Sequence, residues 1–156
     1  MLKDLKIQQM KKFNRPERIL VDTGFWIALF NQRDGYHNDA QELLDLIIET
    51  NIVLPWPTLY ETVNTRLSKN RNGVSQFEKI LQLPNTVLLD DAEYKERALK
   101  FSIENSVSSR RPISLVDSII REVLSDINVN INYLITFNKR DFIDLCIKRR
   151  IDILND

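Results

Sequence analysis

The stretch that decides the fold is residues 19–30, Ile-Leu-Val-Asp-Thr-Gly-Phe-Trp-Ile-Ala-Leu-Phe. Its first three residues are apolar and predict a short buried strand that ends at Asp22. The apolar run of residues 25–30 follows almost directly, and it is far shorter than the ~20 residues that a membrane-spanning helix needs. An acid at the end of a buried strand is therefore expected at the edge of a sheet, before a short helix.

The same alternation of strand and helix continues along the chain. Further strands are predicted at residues 52–54, 86–89, 133–136 and 151–154. Apolar residues at helical spacing predict helices between them, from residue 40, over residues 58–69 and closed near Gly73, over 75–83, around 93–103, and over 115–124. A polar loop is expected over residues 106–112.

Strands that are apolar on both faces and alternate with helices indicate a parallel sheet covered on two sides. The predicted fold is an α/β three-layer sandwich with a central, mostly parallel sheet of four to five strands. Ligands of such sheets gather beyond the carboxyl ends of the strands. That edge is where functional residues are expected.

Composition excludes several classes of site. Gly24, Gly35 and Gly73 are the only glycines and lie far apart, so neither a P-loop nor a GxGxxG turn can form. A single cysteine, Cys146, excludes an internal disulfide and a cysteine-rich zinc site. A single histidine, His37, excludes a multi-histidine metal site and is expected to pack or to cap a helix. Oxygen ligands remain as the chemistry that this chain can offer.

Charge is balanced overall but unevenly distributed. The 156 residues hold 22 basic and 22 acidic side chains. Residues 1–18 carry a net charge of +4, so residues 19–156 carry −4. We predict a basic N-terminal extension over 1–18, either a solvated tail or an arm that meets a partner, and one domain over 19–156. The extension lacks a signal-peptide core, so we expect a cytoplasmic protein that does not enter a membrane.

Acidic and amide side chains recur where the predicted strands end or the next helices begin. These residues are Asp22, Glu61, Asp117, Asn138 and Asp141. Carboxylates gathered in one crevice repel each other unless a cation neutralises them, and the cation that suits oxygen ligands is Mg²⁺ or Mn²⁺. Such a site activates water and stabilises charge on a phosphodiester.

Each of these residues also has a purely structural interpretation. Thr58-x-x-Glu61 and Ser114-x-x-Asp117 match the capping box, and Asp22 is placed to cap the helix of residues 25–30. Asp141 has Lys139 and Arg140 as neighbours for an ion pair, and Asn138 suits a turn. Trp26, Phe30 and Tyr36 suit either core packing or a surface that faces a partner.

Four stretches occur in a fixed order along the chain: Val21-Asp22-Thr23 with the apolar run to Leu29, Pro57-x-x-x-Glu61, Ser114-Leu-Val-Asp117, and Thr136-Phe-Asn138-Lys-Arg-Asp141. Together they resemble the four acidic motifs of PIN-domain ribonucleases, over roughly residues 20–154. Within that family the resemblance is to single-domain VapC-type toxins. It implies metal-dependent endonucleolytic cleavage of RNA, a small antitoxin that masks the site, and frequent homodimers.

The resemblance assigns roles to individual residues. It implies that Asp22, Glu61 and Asp117 are catalytic acids that bind metal, and that the hydroxyl of Thr23 orients a ligand or water, with Thr136 as a second supporting residue. Many relatives have an aspartate where this chain has Asn138. Asp141, three residues on, is then the alternative metal ligand, and both residues are candidates for the fourth catalytic position.

Basic residues flank the predicted site. Arg110, Arg111, Lys139 and Arg140 are expected either to neutralise RNA phosphates or to be a solvated surface. The predicted function is a Mg²⁺- or Mn²⁺-dependent endoribonuclease, and the resemblance implies that it is the toxin of a toxin–antitoxin pair.

Two other functions fit parts of the sequence. Asn138 and the zero net charge favour a PIN-like domain that binds RNA or protein without cleaving. An aspartate at a sheet edge also suits a response-regulator receiver or a haloacid-type phosphatase, and Asp90-Asp91 after the third strand suggests the receiver. However, a receiver needs paired acids after the first strand, and a haloacid-type phosphatase needs an aspartate where Gly24 stands.

Overall fold

A computed structural model describes residues 17–154 of the chain. Its centre is a five-stranded, all-parallel sheet in the order β3-β2-β1-β4-β5. The strands are β1 (Arg18–Val21), β2 (Asn51–Pro55), β3 (Thr86–Leu89), β4 (Tyr133–Ile135) and β5 (Asp152–Ile153). The predicted α/β class and three-layer architecture are confirmed, and all five predicted strands are present within a residue or two of the expected bounds.

Eight helices connect the strands within the described residues. They are α1 (Thr23–Phe30), α2 (His37–Ile48), α3 (Trp56–Thr62), α4 (Thr65–Ser68), α5 (Arg71–Leu81), α6 (Lys95–Ser108), α7 (Leu115–Ser125) and α8 (Ile143–Arg149). A single 3-10 turn, Lys139–Asp141, precedes α8. No helix in this part of the chain is both long and apolar enough to cross a bilayer.

Alternate residues of each strand supply two separate cores. Ile19 and Ile52 face the core shared with α1, α2 and α5, whereas Leu20 and Val53 face the core shared with α7. Because successive side chains of a strand point to opposite faces, a strand buried on both faces must be apolar throughout. This requirement made the strands recognisable in the sequence.

The order of the strands reverses between β1 and β4. The chain adds β2 and β3 on one side of β1, and then returns to place β4 and β5 on the other side. The crevice beyond the carboxyl ends of two such strands is open, because the connecting helices leave to opposite faces of the sheet. Asp22 follows β1 and Thr136 follows β4, so both residues lie at this crevice.

The region between β2 and α5 differs from the sequence expectation. The helix predicted over residues 58–69 is broken at Val63, and Asn64 caps α4 by accepting hydrogen bonds from the amides of Arg66 and Leu67. The helix expected from Ser75 begins at Arg71, where the Asn70 side chain caps the Gly73 amide at 3.0 Å.

Gly73 therefore lies inside α5 and does not close the preceding helix. A Cβ atom at this position would lie 2.8 Å from Nδ2 of Asn70 and 3.0 Å from a methyl of Leu67. Any larger residue at this position would have to displace the Asn70 side chain that caps α5. The expected loop over 106–112 is shorter than predicted, since α6 continues to Ser108.

The predicted N-terminal extension lies almost entirely outside the described residues. Arg18, which we counted within it, is the first residue of β1 and donates from Nη1 to the carbonyl of Val129 at 2.7 Å. The division into an extension and one domain over 19–156 stays a prediction.

Candidate active site

Asp22 is the centre of a hydrogen-bonded network, called the acidic cluster, that connects the strand-end acids and amide through two threonines. It is the N-cap of α1 and only 6% exposed. Its Oδ1 accepts from the amide of Thr23 at 2.7 Å, and its Oδ2 accepts from the hydroxyl of Thr136 at 2.8 Å. Both carboxylate oxygens are thus oriented, one by the start of α1 and one by the end of β4. The predicted cap at Asp22 is present, and it coexists with a place in the cluster.

Glu61 is joined to the same network through Thr23. The Thr23 hydroxyl donates to Oε2 of Glu61 at 2.8 Å, across 38 residues of sequence. The capping box Thr58-x-x-Glu61 does not form, because α3 begins two residues before Thr58 with Pro55 at its N-cap. Glu61 consequently lies in the last turn of α3 and turns towards α1. The Thr58 hydroxyl is buried without a hydrogen-bond partner in the described structure.

Asp117 lies in the first turn of α7 and faces Asp22 from a separate element. Ser114 caps this helix and accepts from the Asp117 amide at 3.0 Å, so the predicted cap is confirmed. Burial raises the pKa of Asp117, the hydrogen bond with Ser114 opposes that rise, and the charges of Asp141 and Glu61 add to it. Asp117 is therefore within electrostatic reach of both neighbours.

Asn138 and Asp141 form a pair at the end of β4. The Asn138 side chain donates to Oδ2 of Asp141 at 2.6 Å, and its backbone amide donates to the Thr136 hydroxyl at 3.0 Å. Thr136 thus connects Asp22 with Asn138, and Asn138 connects onwards to Asp141. The turn interpretation of Asn138 is correct, since it precedes the 3-10 turn.

The cluster is electrostatically unfavourable without a cation. Burial is the main cause that raises the pKa of Asp22 to about 6. The hydrogen bonds from Thr136 and Thr23 work against this rise, whereas the charges of Asp117 and Glu61 reinforce it. A buried carboxylate that is hydrogen-bonded as an anion, yet repelled by other anions, is stabilised by a bound cation.

The donors suit a hard divalent cation. All are carboxylate or amide oxygens, the ligands that Mg²⁺ and Mn²⁺ prefer. Within residues 17–154, no three acidic, histidine or cysteine side chains are grouped so that they could hold a metal ion together. Mg²⁺ binds proteins through one or two carboxylates while keeping several waters, so pairs of these acids satisfy its needs. The residues present therefore fit such an ion by donor chemistry.

A family model of the PIN domain matches residues 19–148. The chain belongs to the PIN-domain family. The matched range holds all five strand-end acids and amides, from Asp22 to Asp141, so the resemblance seen in the four sequence motifs is confirmed.

The fold of this PIN domain also occurs in a solved toxin. The crystal structure of VapC20 from Mycobacterium tuberculosis, described as a sarcin-ricin loop cleaving toxin, superposes with a TM-score of 0.63 and 22% identity. The match covers 81% of this chain and 94% of that one. No curated protein matches the sequence. At this identity the likeness establishes a shared fold.

The four basic residues of this PIN domain are near the acidic residues along the chain. Arg110 and Arg111 are exposed in the loop before α7, which carries Asp117. Lys139 and Arg140 lie in the 3-10 turn between Asn138 and Asp141. Their role as phosphate-binding residues stays a prediction.

Arg121 is a site residue that sequence analysis missed. Its Nη1 donates to the backbone carbonyl of Asp141 at 2.6 Å, and its guanidinium binds both carboxylate oxygens of Asp144 at 2.8 and 2.7 Å. It lies one helical turn after Asp117 on α7, which was the signal available. Arg121 thus fixes the turn that carries Asp141.

His37 is used structurally, as expected from the sequence. Its Nδ1 lies 2.9 Å from the carbonyl of Ala28, which ties the start of α2 to α1. Asp90 and Asp91 lie after β3, at the edge strand of the sheet, and the Asp90 side chain accepts from the Ala92 amide at 2.7 Å. That local turn accounts for Asp90 without a receiver-like role.

Proposed function

We propose that this PIN-domain protein is a Mg²⁺- or Mn²⁺-dependent endoribonuclease, with Asp22, Glu61, Asp117 and Asp141 as metal-binding acids. The observation that carries the proposal is the hydrogen-bonded chain Glu61–Thr23–Asp22–Thr136–Asn138–Asp141, with Asp117 facing it from α7. The shared fold with a toxin that cleaves the sarcin-ricin loop supports the same class of substrate.

The ion, when bound, would polarise a phosphodiester oxygen and lower the pKa of the attacking water. Asp22 and Asp117 would hold it, since they are the two acids whose pKa values their surroundings raise. Glu61, oriented by the Thr23 hydroxyl, would add an oxygen ligand or orient the water for in-line attack. Thr136 would keep Asp22 in its orientation.

The polar groups at the end of β4 would serve the substrate as well. Asn138 supplies an amide in place of a fourth strand-end carboxylate, so Asp141 would supply the remaining charge. Arg110, Arg111, Lys139 and Arg140 would neutralise phosphates on either side of the bond that is cut.

The decisive experiment compares purified wild type, Asp22→Asn and Asp45→Asn on a panel of single-stranded and loop RNAs, with Mg²⁺, Mn²⁺ or a chelator. Asp45 is an exposed acid on α2 and serves as the matched control. Cleavage that needs metal, survives Asp45→Asn and disappears in Asp22→Asn would support the proposal. Full activity of folded Asp22→Asn would overturn it.

A second candidate is a domain that binds RNA without cutting it. Two observations favour it: the amide at Asn138, and the lack, in the described part of the chain, of a three-residue metal group. Calorimetric titration with Mg²⁺ and Mn²⁺ separates the candidates. Millimolar or tighter binding that Asp117→Asn abolishes would count against the non-cleaving domain.

A protein partner is part of the proposal. An antitoxin that masks the site would also have an apolar cavity of about 280 Å³ available between α1, α2 and α5, which none of the strand-end acids lines; its lining residues are Leu29, Phe30, Leu44, Ile48, Ile80 and Leu83 with Gln76 and Lys79. Co-expression with the product of a short neighbouring reading frame tests this. A stable complex that suppresses cleavage is expected, and its loss in Ile48→Glu would locate the partner there.

A homodimer is proposed to form through surfaces other than this cavity. Trp56, Tyr60 and Val63 form an exposed stripe along α3, and Leu99, Ile103 and Val107 form another along α6. Exposed apolar residues at helical spacing commonly mark protein interfaces. Light scattering should give a dimer for wild type and a monomer for Ile103→Glu, whereas a wild-type monomer at all concentrations would exclude it.

A further inference from the structure

Three aromatic rings form a column from the core to the surface. Phe25 is fully buried, and its ring centroid lies 6.5 Å from that of Phe137 with the planes 25° apart. Phe137 in turn stacks on Tyr36 at 4.3 Å with the planes only 8° apart. The column therefore ends at Tyr36 in a nearly parallel stack.

Tyr36 presents an open ring face. One face is covered by Phe137, yet the residue is 50% exposed. Its side chain makes no capping hydrogen bond at the start of α2. A flat π surface is thus held in a fixed orientation by the ring beneath it, without a role in the local backbone structure.

The column is linked to the acidic cluster through the chain neighbours of Phe137. Phe137 lies between Thr136, which donates to Asp22, and Asn138, which donates to Asp141. Lys139 and Arg140 follow on the same segment. One stretch of chain, with the residue stacked on it, therefore carries an aromatic face, the Asp141 carboxylate and basic side chains, and its Thr136 is hydrogen-bonded to Asp22.

We propose that the open face of Tyr36 stacks on an unpaired nucleobase of RNA, next to the phosphodiester that lies at the acidic cluster. The proposal rests on the proposed function, since RNA is taken as the substrate. Unstacked bases bind by stacking on aromatic side chains while basic groups follow the backbone, and both features are present here.

Single-stranded RNA suits this surface better than a protein segment does. A parallel ring stack repeats the geometry that one base offers to the next, and the acids that adjoin it are those expected to meet a phosphate. The other exposed aromatic pair, Trp56 and Tyr60, has rings tilted by 41° and offers no such continuous platform.

The test uses the full chain with Asp22→Asn, which blocks cleavage, and single-stranded RNA carrying 2-aminopurine at successive positions. Stacking quenches this fluorophore. Quenching at one position is therefore expected in the parent, which keeps Tyr36, and in Tyr36→Phe, but not in Tyr36→Ala or Tyr36→Leu. Tyr36→Ala should weaken RNA binding by about 10-fold. Ile147→Ala, an exposed apolar residue on α8, is the surface control and should bind as the parent does.

An abasic scan completes the test. Removal of the base at the quenched position should weaken binding to the parent but not further weaken binding to Tyr36→Ala, because the two changes remove the same contact. Equal RNA affinity of Tyr36→Ala and the parent, with no quenching at any position, would overturn the proposal. The same RNA result, with loss of a protein partner in Tyr36→Ala, would assign the face to protein docking and overturn it too.

Failure of this proposal is distinguishable from failure of the endoribonuclease proposal. Equal rates of RNA cleavage by wild type and Tyr36→Ala would exclude the stacking role alone. Tyr36-dependent quenching in a protein that cuts none of the RNAs would remove the nuclease and leave the stacking role intact.

Discussion

Asp22 and Asp141 follow neighbouring strands, yet the two ends of the acidic cluster are built differently. Asp22 is 6% exposed and both of its carboxylate oxygens accept hydrogen bonds within the fold. Asp141 lies in a partly exposed 3-10 turn, and it is held through its backbone carbonyl by Arg121 and through its carboxylate by Asn138.

This difference suggests different functional roles for the Asp22 end and the Asp141 end. At the Asp22 end the fold buries a carboxylate near other negative charges. A cation that binds there therefore gains the most free energy. At the Asp141 end solvent is near, and the orientation depends on one arginine and one asparagine. We therefore expect the Asp22 end to decide whether the protein acts, and the Asp141 end to adjust how well it acts.

The largest expected effect is on cleavage. Asp22→Asn should lower kcat/KM by about 10³-fold, because a lost metal-binding charge removes several kcal/mol of transition-state stabilisation. Asp141→Asn should lower it by only about 10-fold. Rates on one RNA at saturating Mg²⁺ test the comparison, and equal losses in the two variants would show that the ends are equivalent.

The next effect concerns stability and pH in metal-free buffer. Because the pKa of Asp22 is raised to about 6, its protonated form stabilises the fold. That contribution is fully present below the ordinary value near 4 and is lost as pH rises through about 6, a change of about 3 kcal/mol. Urea unfolding from pH 4 to 7.5 should show this fall in wild type beyond that in Asp22→Asn.

Metal provides the control for that measurement. Saturating Mg²⁺ should flatten the difference between wild type and Asp22→Asn, because the ion stabilises the ionised carboxylate. If the unfolding free energies of the two proteins depend on pH identically without metal, burial and neighbouring charges do not disfavour the ionised Asp22 carboxylate.

A smaller effect is expected where Arg121 supports the Asp141 end. Arg121→Met should cost about 1–2 kcal/mol of unfolding free energy, since it removes hydrogen bonds of a charged group to Asp141 and Asp144. Arg97→Met removes the ion pair between a more exposed arginine and Glu122, and it should lower the unfolding free energy by clearly less than Arg121→Met does. Denaturant titration of both variants measures the difference, and equal costs would refute the supporting role of Arg121.

The smallest effect is expected on metal affinity, when a negative charge is added at the Asp141 end. Asn138→Asp should tighten Mn²⁺ binding by roughly threefold or more, because ligand charge increases metal affinity. Calorimetry measures it, with Asn38→Asp on the exposed side of α2 as the control. Weaker binding in Asn138→Asp would mean that the hydrogen bond from Asn138 to Asp141 matters more than added charge.

Much of the sheet and the position of Asp22 could be predicted from sequence. Ile19 and Leu20 serve different cores, so the strand had to be apolar at consecutive positions, and the acid that follows had to lie at its carboxyl end. Ser114 was equally predictable, since a helix cap depends only on residues three apart.

The segment from α3 to α5 could not be predicted in the same way. Its caps depend on tertiary contacts, as when Asn70 donates to the carbonyl of Phe30, 40 residues away. Glu61 fitted a local cap by spacing, yet its partner is Thr23. Arg121 escaped notice because Asp144 and the Asp141 carbonyl become its neighbours only when α8 packs on α7.

The hydrogen bond between Asp22 and Thr136 joins residues 114 positions apart. Contacts of such long range form late in folding, and during synthesis the first partner leaves the ribosome long before the second has been added. A nascent chain that ends before β4 has only half of the crevice around Asp22. The order of the strands thus delays the assembly of the acidic cluster until nearly the whole domain has been made.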